Sequence, residues 1–147
     1  MGIQVEEVSK LDYQELIEVW EASVRATHDF LKEEDIHYFK PLILNTYFDA
    51  VELKCVKDKK GKVVGFLGVA DQGLEMLFIH PDSRGEGIGK MLANYAIENF
   101  GVDKVDVNEQ NEQAVGFYKK LGFEVKSRSE LDGTGKPYPI LHMELGK

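Results

Sequence analysis

The chain has one cysteine and one tryptophan in 147 residues, and no apolar run approaches the ~20 residues of a membrane span. A single cysteine excludes an internal disulfide. Cys55 stands in the apolar run VELKCVK, away from any paired histidine motif, and reads as a packing residue. His37, His80 and His142 show no ligand spacing, so no metal is expected. Basic residues are in deficit, 18 Lys and Arg against 26 Asp and Glu, for a net charge of −8. That excludes a nucleic-acid partner held by a broad basic face. It suits a cationic or amine substrate, although acidity serves solubility in most proteins. The start, MGIQVEEVSK, lacks a basic end followed by an apolar stretch, and Glu6 stands where a myristoylation signal needs Ser or Thr. Neither a secretory leader nor a membrane partner is expected, and the cytoplasm is the natural compartment. Repeats and low-complexity linkers are missing too, so one domain over residues 1–147 is expected.

What is present is an ordered succession of periodic segments. IQVEEV alternates as a short strand. LDYQELIEVWEASVRATHDF carries Tyr13, Leu16, Ile17, Trp20, Val24 and Thr27 on one helical stripe, and Asp12 with Glu15 resembles a capping box that would start it. EEDIHYFKPLILNTYF reads as a second helix that Pro41 should kink or split. AVELKCVK and KVVGFLGVA are strands joined at DKKG, and GLEMLFIH is the fourth strand. IGKMLANYAIENF is a helix with Ile88, Met91, Leu92, Tyr95 and Ala96 inward, ended by Gly101. KVDVN is a strand, EQAVGFYKKL a helix stopped by Gly122, and FEVKSRSEL and YPILHMEL the last two strands. The order β-α-α-β-β-β-α-β-α-β-β predicts an α/β fold of the α+β kind, a mixed sheet covered by helices.

Between the fourth strand and the third helix, Gly85, Gly87 and Gly89 fall within five positions. Glycine lets backbone N–H groups turn toward a ligand with no Cβ in the way. At a helix start, unpaired N–H groups and the positive end of the helix dipole converge, which suits a phosphate or pyrophosphate. Arg84 and Lys90 add positive charge at either end. Two familiar phosphate loops fail on spacing. A P-loop would need glycine at Arg84 and a hydroxyl at Met91. A dinucleotide fingerprint would need glycine at Lys90 or Leu92. A surface loop with no ligand stays open on the turn alone.

A second constellation lies in NEQNEQAVGFYKKLGF. Asn111 is an N-cap candidate for the helix it precedes. Seven residues separate it from Tyr118, about two helical turns, so both can face one groove. Gly116 costs helix stability unless something approaches the backbone closely there. Alone, Tyr118 could equally be a half-buried amphipathic residue.

Together the two segments resemble the GCN5-related N-acetyltransferase (GNAT) family. Arg84, Gly87 and Gly89 match its first motif, and Asn111, Ala114, Tyr118, Gly122 and Phe123 its second. The segments ATHDFL, DVNEQNEQAVGFYKK and SRSELDGTGKPYP are further similar to the YjaB-type bacterial branch, described as acting on peptidyl lysine. The resemblance implies a mostly antiparallel sheet in which LEMLFIH and KVDVN run parallel and splay into a wedge for acetyl-CoA. It implies main-chain contacts to the cofactor from Leu77, Phe78 and Ile79, a pyrophosphate on Arg84, Gly85, Glu86, Gly87, Ile88, Gly89 and Lys90, and a role for Asn111 along the pantetheine arm. Tyr118 would be the general acid, with Asp106 or Glu109 as base. The acceptor, a small amine or a protein lysine, would meet His28, Asp29, Phe30 and Tyr138. The implied protein is a monomer or homodimer. A non-catalytic acetyl-CoA sensor is the alternative reading.

Overall fold

VVGFLGVA contains no polar side chain, and a strand that apolar needs cover on both faces. It forms an interior strand of a seven-stranded sheet. The structure is a computed structural model describing residues 4–146. Ile3, where the first strand was expected to begin, and the start of the segment read against a leader lie outside the described residues. The strands are β1 (Val5–Glu7), β2 (Glu52–Lys57), β3 (Val63–Ala70), β4 (Gly73–Ile79), β5 (Lys104–Asn108), β6 (Phe123–Ser129) and β7 (Ile140–Leu145). The helices are α1 (Tyr13–Thr27), α2 (Glu33–Leu42), α3 (Ile88–Phe100) and α4 (Glu112–Lys120). Their order along the chain is the expected one.

Across the sheet the strands run β1-β2-β3-β4-β5-β7-β6. All neighbours are antiparallel except β4 and β5. One face packs Leu16, Ile17 and Trp20 of α1 against Phe48, Phe66 and Met76. The other packs Leu92 and Ala96 of α3 and Tyr118 of α4 against Leu67, Val105 and Met143. Cys55 is fully buried in the first of these cores, and burial pushes its thiol up to about 11, which suits packing and not reactivity.

Several local expectations are corrected. The helix start does not use Asp12 and Glu15 as a capping box. Asp12 turns back one turn earlier, accepting from the Ser9 N–H at 2.9 Å. Glu15 instead reaches the sheet and accepts from the Val63 N–H at 2.7 Å, capping the end of β3. Pro41, expected to kink or split its helix, stands inside α2 one residue before its end at Leu42. The chain passes through it and loosens into a wide i→i+5 turn over Ile43–Tyr47, the adjustment expected where a proline has removed a ladder donor. β7 begins at Ile140, leaving Tyr138 in the preceding loop. Gly116 has no heavy atom within 4 Å of where a Cβ would stand, so no close approach in the fold requires glycine there.

Gly116→Ala therefore removes a helix penalty without creating a clash. It should stabilise the protein by about 1 kcal/mol in urea denaturation.

Candidate active site

The glycine turn acts as expected at the level of the backbone. Gly85 and Gly87 have φ of +84° and +80°, and Gly87 is the residue from which α3 starts. A side chain at either position would be strained. The first intrahelical bond runs from the Met91 N–H to the Gly87 carbonyl at 3.0 Å, so the first-turn N–H groups before it are free of helix partners. Gly65 of β3 lets this helix start dock tightly, since a Cβ there would meet Ile79 at 2.8 Å and Ile88 at 3.1 Å.

β4 and β5 pair at Gly73–Lys104 and Leu74–Val105 and then separate. A bulge against β3 between Gly68 and Val69 leaves Glu75 as the extra residue of β4 just where the separation begins. Beyond it, Leu77, Phe78 and Ile79 stay paired with β3 on one edge and face a cleft on the other. That cleft, about 310 Å³, also receives Arg84, Gly85 and Gly87 from the turn, Ile88, Gly89 and Lys90 from α3, and Asn111 and Tyr118 from α4. Glu86 is exposed and does not line it. The Arg84 guanidinium hydrogen-bonds the Gln113 side chain and so ties the turn to α4 across the cleft. Asn111 caps α4 as expected, its Oδ1 accepting from the Ala114 N–H at 3.2 Å. Tyr118 is buried at the cleft's floor, and burial raises its phenol well above the ordinary tyrosine range.

A second cavity of about 160 Å³ lies on the α1–α2 side. Its walls are apolar, with Trp20, Leu31 and Phe39 among them, and Asn108, Asp132 and Tyr138 supply polar atoms. Of the residues expected on the acceptor side, His28 and Tyr138 line it. Asp29 and Phe30 do not, although the Phe30 ring packs between His28 and Tyr138 with centroids 5.2 and 5.9 Å away. The two cavities share His28 and Phe78.

Asp106 and Glu109 line neither cavity. Asp106 lies 2.7 Å from Nδ1 of His142, whose Nε2 lies 2.7 Å from the Ser129 hydroxyl. Glu109 accepts two hydrogen bonds from the Arg128 guanidinium, at 2.7 and 3.0 Å, which hold its carboxyl below the usual range. Glu75 is displaced the other way, raised by partial burial and by the charges of Asp106 and Asp71. Sequence reasoning passed over Ser23 and Thr27, which line the first cavity. Their i, i+4 spacing beside His28 was a signal for them. The second cavity's Asp132 carried none beyond its turn-forming neighbours.

A sheet split between parallel strands, with a helix opening onto the split and a buried phenol at its floor, defines a class: acetyl transferases that seat a nucleotide-bearing thioester in the gap. Residues 24–145 match the family described as "Acetyltransferase (GNAT) domain", and the chain belongs to that family. It is an N-acetyltransferase. It is 43% identical over 130 residues to the peptidyl-lysine N-acetyltransferase YjaB of Escherichia coli K12, covering 88% of each. The solution structure of apo YjaB from Escherichia coli is similar at a TM-score of 0.89, with 40% identity and coverage of 98% of this chain and 97% of that one. A crystal structure of the PaiA N-acetyltransferase of Thermoplasma acidophilum in complex with coenzyme A shares the fold. Its TM-score is 0.74 at 22% identity, covering 99% of this chain and all of that one.

His28 is half-buried, and that burial, opposed by the charge of Asp29, holds its imidazole down to about 4. An unfolded chain takes up this proton near pH 6.5 while the folded protein refuses it until about pH 4. The associated stability is complete above pH 6.5 and is lost as pH falls toward 4. Thermal or urea unfolding at pH 7 and pH 4.5 should show His28→Gln losing about 2 kcal/mol less than the parent over that interval.

Proposed function

We propose that this protein transfers the acetyl group of acetyl-CoA to a primary amine, protein lysine among the acceptors, as a single domain over residues 1–147. The observation that carries the reading is the β4–β5 split with the start of α3 at its mouth. The cleft's lining suits the group. Free N–H groups at Gly87–Lys90, with Arg84 and Lys90 beside them, would hold the diphosphate. The unpaired edge of β4 at Leu77, Phe78 and Ile79 would pair with the pantetheine amides, and an N–H there would stabilise the charge that develops on the thioester oxygen. Acetyl-CoA supplies an activated acyl group, and no metal takes part.

Asn111 would order the arm or a water beside it. Tyr118 stays protonated across the physiological range, because burial disfavours the phenolate, and so remains a donor for the departing sulfur. For the amine's proton, Asp106 and Glu109 remain candidates, reached through water since neither borders the cavities. On the acceptor side, apolar walls suit an aliphatic stem and Asp132 suits a cationic head. His28 and Tyr138, with Asp29 and Phe30 behind them, would shape that entry. The relatives' description as acting on peptidyl lysine supports the acceptor class.

No helix among the described residues is long and apolar enough to cross a membrane. We place the activity in the cytoplasm, with neither nucleic acid nor membrane as partner, in a monomer or homodimer. A non-catalytic acetyl-CoA sensor is the weaker reading, since such a protein has no use for a phenol at the cleft floor.

Calorimetric titration with acetyl-CoA tests the cleft, and absence of binding at high micromolar concentration would discard the reading. A thiol-release assay over lysine peptides and small amines tests turnover. Tyr118→Phe should lower kcat about 10²- to 10³-fold while acetyl-CoA affinity stays within a few-fold.

A further inference from the structure

The two cavities meet at His28, and the hydrogen bonds around its ring fix which nitrogen carries the proton. The Thr27 hydroxyl donates its only hydrogen to the Ser23 carbonyl at 2.8 Å. Its oxygen, 2.7 Å from Nδ1 of His28, is therefore left to accept, and Nδ1 must be the protonated nitrogen. On the other side of the ring stands the Asn111 amide. Its Oδ1 is committed to the Ala114 N–H at 3.2 Å, so the group turned toward His28 is the Nδ2 donor, 3.4 Å from Nε2. A donor on that side requires Nε2 to be bare. Both neighbours select one tautomer, whose Nε2 lone pair lies at the junction of the cofactor cleft and the acceptor cavity. It is engaged only by the long 3.4 Å contact from Asn111, which an arriving acceptor nitrogen would displace.

We propose that His28 Nε2 is the base that takes the proton from the acceptor nitrogen during acetyl transfer. This rests on the reading of the cleft as the acetyl-CoA site. An alkylammonium has a pKa near 10.4, far too weak an acid to be stripped by a neutral imidazole in advance, so the acceptor reacts as its free amine. Once the amine nitrogen has bonded to the acetyl carbon it is positively charged beside an oxyanion and much more acidic. His28 Nε2 takes one N–H proton at that point. The carbon–sulfur bond breaks, the sulfur takes the Tyr118 hydroxyl proton, and the imidazolium proton returns through solvent to the phenolate. The products are an amide and a free thiol, with no net proton change from neutral amine. Burial keeps the ring neutral at working pH, so the lone pair is available without a prior deprotonation. Asp106 and Glu109 are engaged with His142 and Arg128 and line neither cavity.

Two measurements test this. Long-range proton–nitrogen correlation spectra of the ligand-free protein at pH 7 should show His28 as the Nδ1–H tautomer. An Nε2–H tautomer would overturn the proposal whatever the activity. In thiol-release assays with a lysine peptide, His28→Ala and His28→Asn should each lower kcat about 10²- to 10³-fold, with acetyl-CoA affinity by calorimetry within threefold of the parent. Added imidazole should restore a substantial part of the His28→Ala rate. Turnover of His28→Ala within threefold of the parent, loss without imidazole rescue, or a comparable loss in Glu75→Gln with none in His28→Asn would each assign the proton elsewhere. A parent protein that neither binds acetyl-CoA nor acetylates any amine would instead remove the functional reading on which the proposal stands.

Discussion

Parallel strands normally satisfy one another's N–H and C=O groups along their whole length, and leaving such groups unpaired in an interior costs about 1–3 kcal/mol each. β4 and β5 pair at two positions and then give this up. The separation is tolerable only because each strand is secured from elsewhere. β4 keeps its antiparallel ladder with β3 on either side of the bulge at Glu75, and β5 keeps its own with β7. The freed edges face a cleft where water or a ligand can satisfy them. Beneath the gap, Ala114, Phe117 and Tyr118 of α4 pack into the core shared with α3, so the opening is propped by side chains and is not a defect of pairing. Every proposed step depends on this arrangement, since it delivers a free strand edge, a helix start and a phenol to one place.

How much of this could be read in the chain depends on how local each determinant is. α3 was legible to the residue because its stripe is strong and it is bounded by glycines in positive-φ conformations at both ends. β5 and the cap of α4 were equally local. Glu15 was misread because its partner is the Val63 N–H, 48 residues away, which no capping pattern encodes. Pro41 was read as a kink or split, and the α-helix does give way just after it, at Leu42, to the wide turn over Ile43–Tyr47, while the core that takes up Ile36, Ile43 and Phe48 keeps the segment coiled. The family resemblance named Asp106 and Glu109, on β5 and in the turn after it. It could not see His142 and Arg128 arriving from β7 and β6 to engage them.

The same distinction separates the two cavities. The cofactor side is built mainly from two stretches, 77–90 and 111–118, with the end of α1 beside them, and its motif residues almost all reach the cleft. The acceptor side is assembled from α1 and α2, near the start of the chain, and from the loop before β7, near its end. That loop is fastened by Asp35 of α2, which is buried and accepts from the Tyr138 hydroxyl while pairing with Lys136 at 3.0 Å. Asp132 holds the loop's own turn through the Thr134 and Lys136 N–H groups at 2.9 and 3.0 Å. Hydrogen bonds to a charged group contribute about 1.5–3 kcal/mol each, so these contacts set the loop's position over the cavity more firmly than its few apolar contacts could.

On the proposed reading, the chemistry and the choice of acceptor are specified by different parts of the chain. Substitutions in the loop before β7 or along α2 can reshape the acceptor cavity without touching the split, the glycine turn or Tyr118. His28 is the exception, because it belongs to both walls. It sits at the end of α1, where Thr27 and Ser23 orient its ring, and faces Asn111 at the start of α4. The residue proposed to meet the acceptor is thereby held by a helix whose buried positions are fixed by the core. An acceptor can vary widely in what it presents to Asp132 and Tyr138, provided its nitrogen arrives where this one ring meets Phe78.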